Sequence, residues 1–504
     1  MPQAVSNLVK LGLVRESTPG TTPTSPTWLP MRFTGASLAG KPETVISEEI
    51  ESSRMVSDLI LVGINADGTL NWESSYFRGG YGGLDLLLEG AIANPFVRTA
   101  EKDNTLTAAS ISAVSATAYT TTAVSPAWAQ DMLVYATGFA DSGNNRTFKA
   151  AASSTSTSLT MTGGTVDASP ATSARLKQIG FQARSAADVQ ATTTSGSALT
   201  STSTDFTTFG LAVGQWVLLG TNAARLGGTD NYSFALTTAN NGWCRVSAIT
   251  STRLSFDRTP AGFAADVATG KTIRVYFGDY VRNGTTVYTF SVEQQHPDLT
   301  TPAYQYITGG VVDTFDLTMA SKAIVKGTSG IKAMGASVTT TRVSGSSNGT
   351  AETYGVMNSS SNVARIAENG TALSSPVYGL ELVYNINNNA RQLPAIGQIG
   401  FVGVNFGRQI VSGSAKFYFG DTTILAKAIN NTATSLDWVI QSATGEVYQF
   451  EVPSVKLATA QAVPSAINVD ITVDLTWQGI KYTNPAGATY QTQVMRCEQA
   501  GSAA

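Results

Sequence analysis

The sequence predicts an all-β protein with one or two short helices, and three observations carry that expectation. Ile467, Val469, Ile471, Val473, Leu475 and Trp477 alternate with Asn468, Asp470, Thr472, Asp474, Thr476 and Gln478, six matches in six to a period of two. Helical spacing is confined to Gly83–Ile92 and Ile424–Ile429. Between the alternating runs, Ser, Thr, Gly and Asn cluster as turns.

The run at 467–478 reads as a strand with one apolar and one wet face, as an antiparallel sheet with a solvated side requires. At about 3.3 Å per residue it would span about 40 Å, roughly twice the commonest strand. Shorter runs obey the same rule. Leu70, Trp72, Ser74 and Tyr76 alternate with polar neighbours, as do Tyr288, Phe290 and Val292, and Phe315, Leu317 and Met319. Tyr448, Phe450 and Val452 run up to Pro453, which is expected to interrupt the ladder at an edge or a bulge.

Two internal echoes divide the chain. Gly68–Glu73 opens a strand followed by the first helix, and Gly413–Phe419 opens one followed by the second, 345 residues later. Gln130–Gly138 is echoed by Val213–Gly220, and Asn144-Asn145 by Asn240-Asn241. The expected organisation is a discontinuous main domain, residues 1–100 and 281–504, carrying two small inserted β-modules at 101–190 and 191–280.

The 504 residues exceed one ordinary core. Charged residues are only 13%, about half the usual share, which suits a surface buried against copies of the same chain and equally suits a secreted adhesin. Net charge is −3 with no Lys/Arg run, so the footprint of a protein that grips nucleic acid is missing. Cys244 and Cys497 read as two independent reduced thiols. No signal peptide and no span of about 18 apolar residues is read, so the expected setting is the cytoplasm, without membrane insertion.

No catalytic residue, metal ligand or cofactor site is expected. The single histidine, His296, rules out His-rich metal motifs and reads as a loop residue before Pro297. Gly79, Gly80, Gly82 and Gly83 lack the Lys-Ser/Thr of a phosphate cradle and read as a turn. Glu48, Glu49 and Glu51, with Arg54 and Asp58, could supply a glycosidase carboxylate pair, but no sugar-stacking aromatic accompanies them. A solvated or interface-facing stretch is the plainer reading. Asp470 and Asp474 lie on the wet side of the long strand, where they would make a channel wall acidic.

Arg32–Leu38, Ile46–Leu59, Gly68–Glu73, Leu84–Gly90, Val287–Ser291, Gly309–Asp313 and Val411–Ser414, in that order, resemble the tail tube proteins of long-tailed bacteriophages. An inserted module ahead of Val281 is familiar in that family; two copies depart from it. The resemblance implies a tail-tube-type β-sandwich or barrel whose long strands form part of an oligomeric barrel. It implies rings, usually hexameric, stacked into a tube in the virion's tail after assembly in the host cytoplasm. Tape-measure, tail-terminator and tail-tip proteins are the implied partners, and DNA passes through the lumen without specific binding. Residues 35–62, with Glu48, Glu49, Glu51, Arg54 and Asp58, are the candidate ring-stacking loop. Asp470 and Asp474 are the candidate lumen-facing residues. The competing expectation is an all-β receptor-binding or tail-decorating adhesin that recognises host glycans, and a glycan-cleaving tail enzyme is a third.

Overall fold

The computed structural model describes residues 3–50, 52–77, 82–221, 230–351, 353–373, 379–420, 422–462, 464 and 467–498. The chain is all-β, and its main part is one fold written twice. The first copy comprises β1 (Lys10–Arg15), β2 (Ala39–Ile46), β3 (Leu59–Glu73), α1 (Gly83–Ile92), β4 (Phe290–His296), β5 (Ala303–Ala320), β6 (Lys326–Ala333) and β7 (Gly335–Thr339). The second comprises β8 (Val363–Glu368), β9 (Gly379–Asn387), β10 (Ile410–Tyr418), α2 (Thr423–Ile429), β11 (Thr434–Gln441), β12 (Val447–Ala462), β13 (Thr472–Gly479) and β14 (Gln493–Cys497).

Six pairings of the first copy recur in the second. In the first, β1 pairs with β4, β2 with β3, β3 with β6, and β5 with β4, β6 and β7. In the second, β8 pairs with β11, β9 with β10, β10 with β13, and β12 with β11, β13 and β14. The register agrees to the residue. Gly68 faces Ile331, which faces Val312; Gly413 faces Trp477, which faces Leu457. In both copies the long strand then skips one residue, Asp313 or Ala458, as a bulge. Each helix packs on its own copy's long strand, α1 on β5 and α2 on β12. The faint echo of Gly68–Glu73 in Gly413–Phe419 is therefore a true duplication.

The copies are joined by a ladder between β5 and β9, from Thr314 facing Asn387 to Ala320 facing Glu381. One antiparallel sheet results, in the order β2-β3-β6-β5-β9-β10-β13-β12. Its core face alternates bulky and minimal side chains along one row: Trp72, Gly327, Leu317, Tyr384, Gly413, Trp477, Leu457. Glycine is required there. A Cβ at Gly327 would stand 2.3 Å from the Trp72 ring, and one at Gly413 2.4 Å from the Trp477 ring.

One strand expectation needs correction. The strand expected at Ile467–Gln478 begins only at Thr472 and runs to Gly479, because Asn468 adopts a left-handed φ of 63° and no described strand pairs with the residues before Thr472. Pro453 interrupts a ladder at a bulge, as expected: the β11–β12 register shifts between Val452 and Val455 around it, while β12 itself runs on for 16 residues. It stands where β12 exchanges β14 and β11 for β13, so its missing N–H falls between ladders. The first copy makes the same exchange at Gly309, whose φ is 65°. His296 ends β4 opposite Ala303 rather than lying in a loop.

Residues between α1 and β4 build a separate ten-stranded and a three-stranded sheet. They too repeat: Met132–Thr137 pairs with Thr147–Lys149 and Arg175–Gln182 as Trp216–Leu219 pairs with Trp243–Ile249 and Arg274–Tyr276. Asn145 clasps both backbone groups of Phe139, and Asn241 those of Phe234. The two units share one sheet, joined at Phe181 and Val275, and one core that also takes in Val439, Val447, Met495 and Cys497. Both cysteines are free and buried.

Buried ion pairs tie α1 and the insertion to the main fold. Arg496 meets Asp85 at 2.5 Å, Arg175 of the insertion donates to Glu498 at 2.7 Å, and Arg245 of the insertion meets Glu451. Burial pushes the Asp85 carboxyl above its ordinary range, and Arg496 offsets this only in part. Removing one partner of such a pair strands a buried charge, whereas removing both is far milder. Arg496→Met is therefore expected to cost about 3–5 kcal/mol of unfolding free energy in urea. Asp85→Leu added to it is expected to restore part of that loss.

Candidate assembly surfaces

The residues singled out for chemistry do not converge. Glu48 and Glu49 are exposed in the loop between β2 and β3, and His296 lies at the far end of β4. Glu51 and Gly79–Gly80 lie outside the described residues, while Gly82 caps α1 with its N–H donating to Asp85 at 3.0 Å. Among the described residues no three His, Cys, Asp or Glu side chains could jointly hold a metal ion, and no helix is long and apolar enough to cross a membrane. What the fold presents instead is one wet sheet face, two contrasting ends and two open edges.

Period-two alternation fixes the wet face. One row crosses seven strands as Asn71, Thr328, Asp316, Asn385, Ser412, Gln478 and Lys456. The next runs Glu73, Lys326, Thr318, Val383, Ser414, Thr476 and Thr459. Polar groups satisfy one another: Thr328 donates to Asn71 at 3.0 Å, Asn385 donates to the Asp316 carboxyl, and the Thr459 and Thr476 hydroxyls lie 2.7 Å apart. The acid expected to colour this face is balanced, since Asp474 sits 3.2 Å from Lys416, just as Asp67 pairs with Lys41. Asp470 is exposed but lies before β13, off the strand.

The two ends of the sheet are apolar. At one, the tip joining β2 to β3 exposes Val45, Ile46, Met55, Val56 and Leu59, and Ile50 is 99% exposed. Beside it projects a hairpin of Arg391–Pro394 and Phe401–Asn405, between β9 and β10, with Ile399 and Val402 exposed. The Ile399 carbonyl accepts from the Ile64 N–H at 2.8 Å, locking the two tips together. At the opposite end, where β10 finishes and β13 begins, Ile429, Ile467, Val469 and Ile471 are exposed. Contiguous apolar patches on a polar protein mark sites of association. Arg54 and Asp58 lie on the first tip, both exposed, with Arg54 at a φ of 59°. The sequence marks this loop by its charged residues, whereas the fold exposes its apolar ones. The isolated Ile50, Met55 and Val56 were the available signal.

Among the described residues, both lateral edges of the sheet lack a neighbouring strand. The ladder that holds β2 is with β3, and seven of its eight residues are exposed. The second half of β12, Thr459–Ala462, pairs with β13 on one side only.

The contrast between the faces is measurable on one strand. Lys416→Ala removes an exposed pair and is expected to change stability by less than about 1 kcal/mol. Trp477→Ala, on the core side, is expected to cost about 3–5 kcal/mol, read from the same denaturant titrations.

A family model described as phage tail tube protein matches residues 6–254 and 245–479 of the chain. A search among curated proteins finds no match.

Proposed function

The chain belongs to the phage tail tube protein family, a structural component of the virion's tail, and from that premise we propose that its copies close into rings, stack end on end, and conduct DNA through a lumen walled by the wet sheet face. The supporting observation is that face, a seven-strand surface of mostly uncharged polar side chains on which Asp474 is answered by Lys416 and Asp67 by Lys41. A conduit must let its cargo slide, and each unpaired Lys or Arg meeting a phosphate would add counterion-release affinity. A mostly uncharged wall with few free cations, rather than the acidic repulsion expected of Asp470 and Asp474, is the device. The same surface suits a tape-measure protein held during assembly, and the apolar ends suit tail-terminator and tail-tip partners.

The contrasting ends account for stacking. A surface that docks on a different surface of the next copy propagates without limit, which builds a tube. The locked tips at 43–62 and 391–405 are the leading surface, and the patch of Ile429, Ile467, Val469 and Ile471 is the receiving one. Glu48, Glu49, Arg54 and Asp58 then form the polar rim that sets rotational register. The insertion packs on β11, β12 and β14 through Val439, Val447, Met495 and Cys497, so it projects from the outside of the tube.

Two outcomes test this reading. Val56→Asp with Met55→Asp is expected to leave folding intact and reduce tubes in negative-stain images to single rings; unchanged tubes would remove the stacking role. Asn385→Lys with Thr476→Lys is expected to leave tubes intact but slow genome ejection, an effect that fades as salt rises. Ejection indifferent to these lysines would move the lumen to another face.

A further inference from the structure

Resting on the tube reading, we propose that neighbouring copies join strand to strand, β12 of one to β2 of the next, and that three copies complete the ring. The molecule contains the template for this joint. Within one chain the first fold copy offers the outer edge of β5 to the second strand of the second copy, β9. The second fold copy has the same long strand, β12, with the same bulge after the same register position, and that edge is open. In the first fold copy the counterpart of β9 is β2, and its outer edge is open as well. Each open edge is what the other needs.

The internal register carries over residue by residue. Thr314, Phe315 and Asp316 correspond to Thr459, Ala460 and Gln461 through the shared bulge. Asn387, Ile386 and Asn385 face Ile410, Val411 and Ser412 as Lys41, Gly40 and Ala39 face Asn65, Ala66 and Asp67. The internal pairs are Thr314 with Asn387, Phe315 with Ile386, and Asp316 with Asn385. The joint between chains is therefore Thr459 with Lys41, Ala460 with Gly40, and Gln461 with Ala39. Pro42 stands one residue beyond, where a ladder can end without losing an N–H. Small residues at 460 and 40 replace the buried Phe315–Ile386 contact, which suits a joint that must form in water between folded subunits. An open edge of this kind pairs with another chain unless it is blocked, and β2 is long and mostly exposed.

Ring size follows from the strands each chain contributes, eight in the joined sheet. Strands about 4.8 Å apart and tilted about 40° give roughly 32 Å between backbones for two copies and roughly 48 Å for three. Side chains reach about 5 Å inward from each wall, leaving roughly 22 Å or 38 Å. A B-form duplex has grooves about 8.5 and 7.5 Å deep and measures roughly 20 Å across, so two copies leave only about 1 Å on each side, too little for a layer of water. Three copies are the smallest closed ring with room for hydrated DNA, and they supply six copies of the fold.

The test is a full-length chain carrying Ala39→Cys and Gln461→Cys, oxidised after assembly; opposed residues of an antiparallel pair lie within disulfide reach. The native Cys244 and Cys497 are buried and do not compete. Non-reducing gels are expected to show bands up to three chains and none beyond, with either single variant staying at one chain. Unmodified tubes are expected to show three-fold rings with a mass of three 52.6 kDa chains. A ladder continuing to six chains, or six chains per ring, would overturn the ring size while leaving the tube intact. Tubes without cross-links would overturn the edge pairing alone. Protein that stays monomeric under all conditions would overturn the tube and the ring together.

Discussion

The ladder between β5 and β9 is the constraint on which the molecule depends. Without it the chain would be two small sandwiches tethered by a linker; with it, eight strands share one pleat and one division between wet and dry. A slip of one residue in that ladder would turn the whole second copy inside out, because side chains alternate with a period of two. Tyr384 illustrates the penalty: it lies in the dry row between Leu317 and Gly413, and its hydroxyl meets that of Thr492 at 2.9 Å. The register is held by large rings over glycines, an arrangement that tolerates no added methyl group.

The dry side differs from an ordinary apolar core in the number of charges it encloses. Asp85, Glu101, Asp437 and Glu451 each face an arginine inside the protein. Such pairs add little net stability but punish misplacement, since each partner is costly alone. Most of them connect segments far apart in sequence: α1 to the C-terminal strand, and the insertion to β12. They act as alignment pins between layers whose apolar contacts alone would permit sliding.

How much of this could be read from the sequence depends on the range of the interaction involved. Val473, Leu475 and Trp477 declare the dry face of β13 because alternation is local, and Leu84–Leu88 declare α1 for the same reason. The ends of strands were not legible. Ile467 and Ile471 continue the alternating pattern, yet no described strand lies beside them, and a strand exists only where a partner does. Pro453 was legible as a bulge because proline lacks an N–H, but that it and Gly309 mark strands passing from one layer to the next was not. The duplication was visible only as a dim likeness between Gly68–Glu73 and Gly413–Phe419, since the copies keep pairings and bulges rather than residues. The apolar tip was hidden by arithmetic: Ile50, Met55 and Val56 are a minority in a polar stretch, and only folding shows that nothing covers them.

The two fold copies differ most in the segment that leads out of each helix. Residues 93–289 separate α1 from β4, while only residues 430–433 separate α2 from β11. A tube of such chains would therefore be studded at alternate positions around its girth, bare patches separating the ornaments. In the proposed ring the bore would meet DNA with near-sixfold sameness, whereas the coat would meet the surroundings with a coarser rhythm, and material docking between the studs would find half as many berths as the bore has facets.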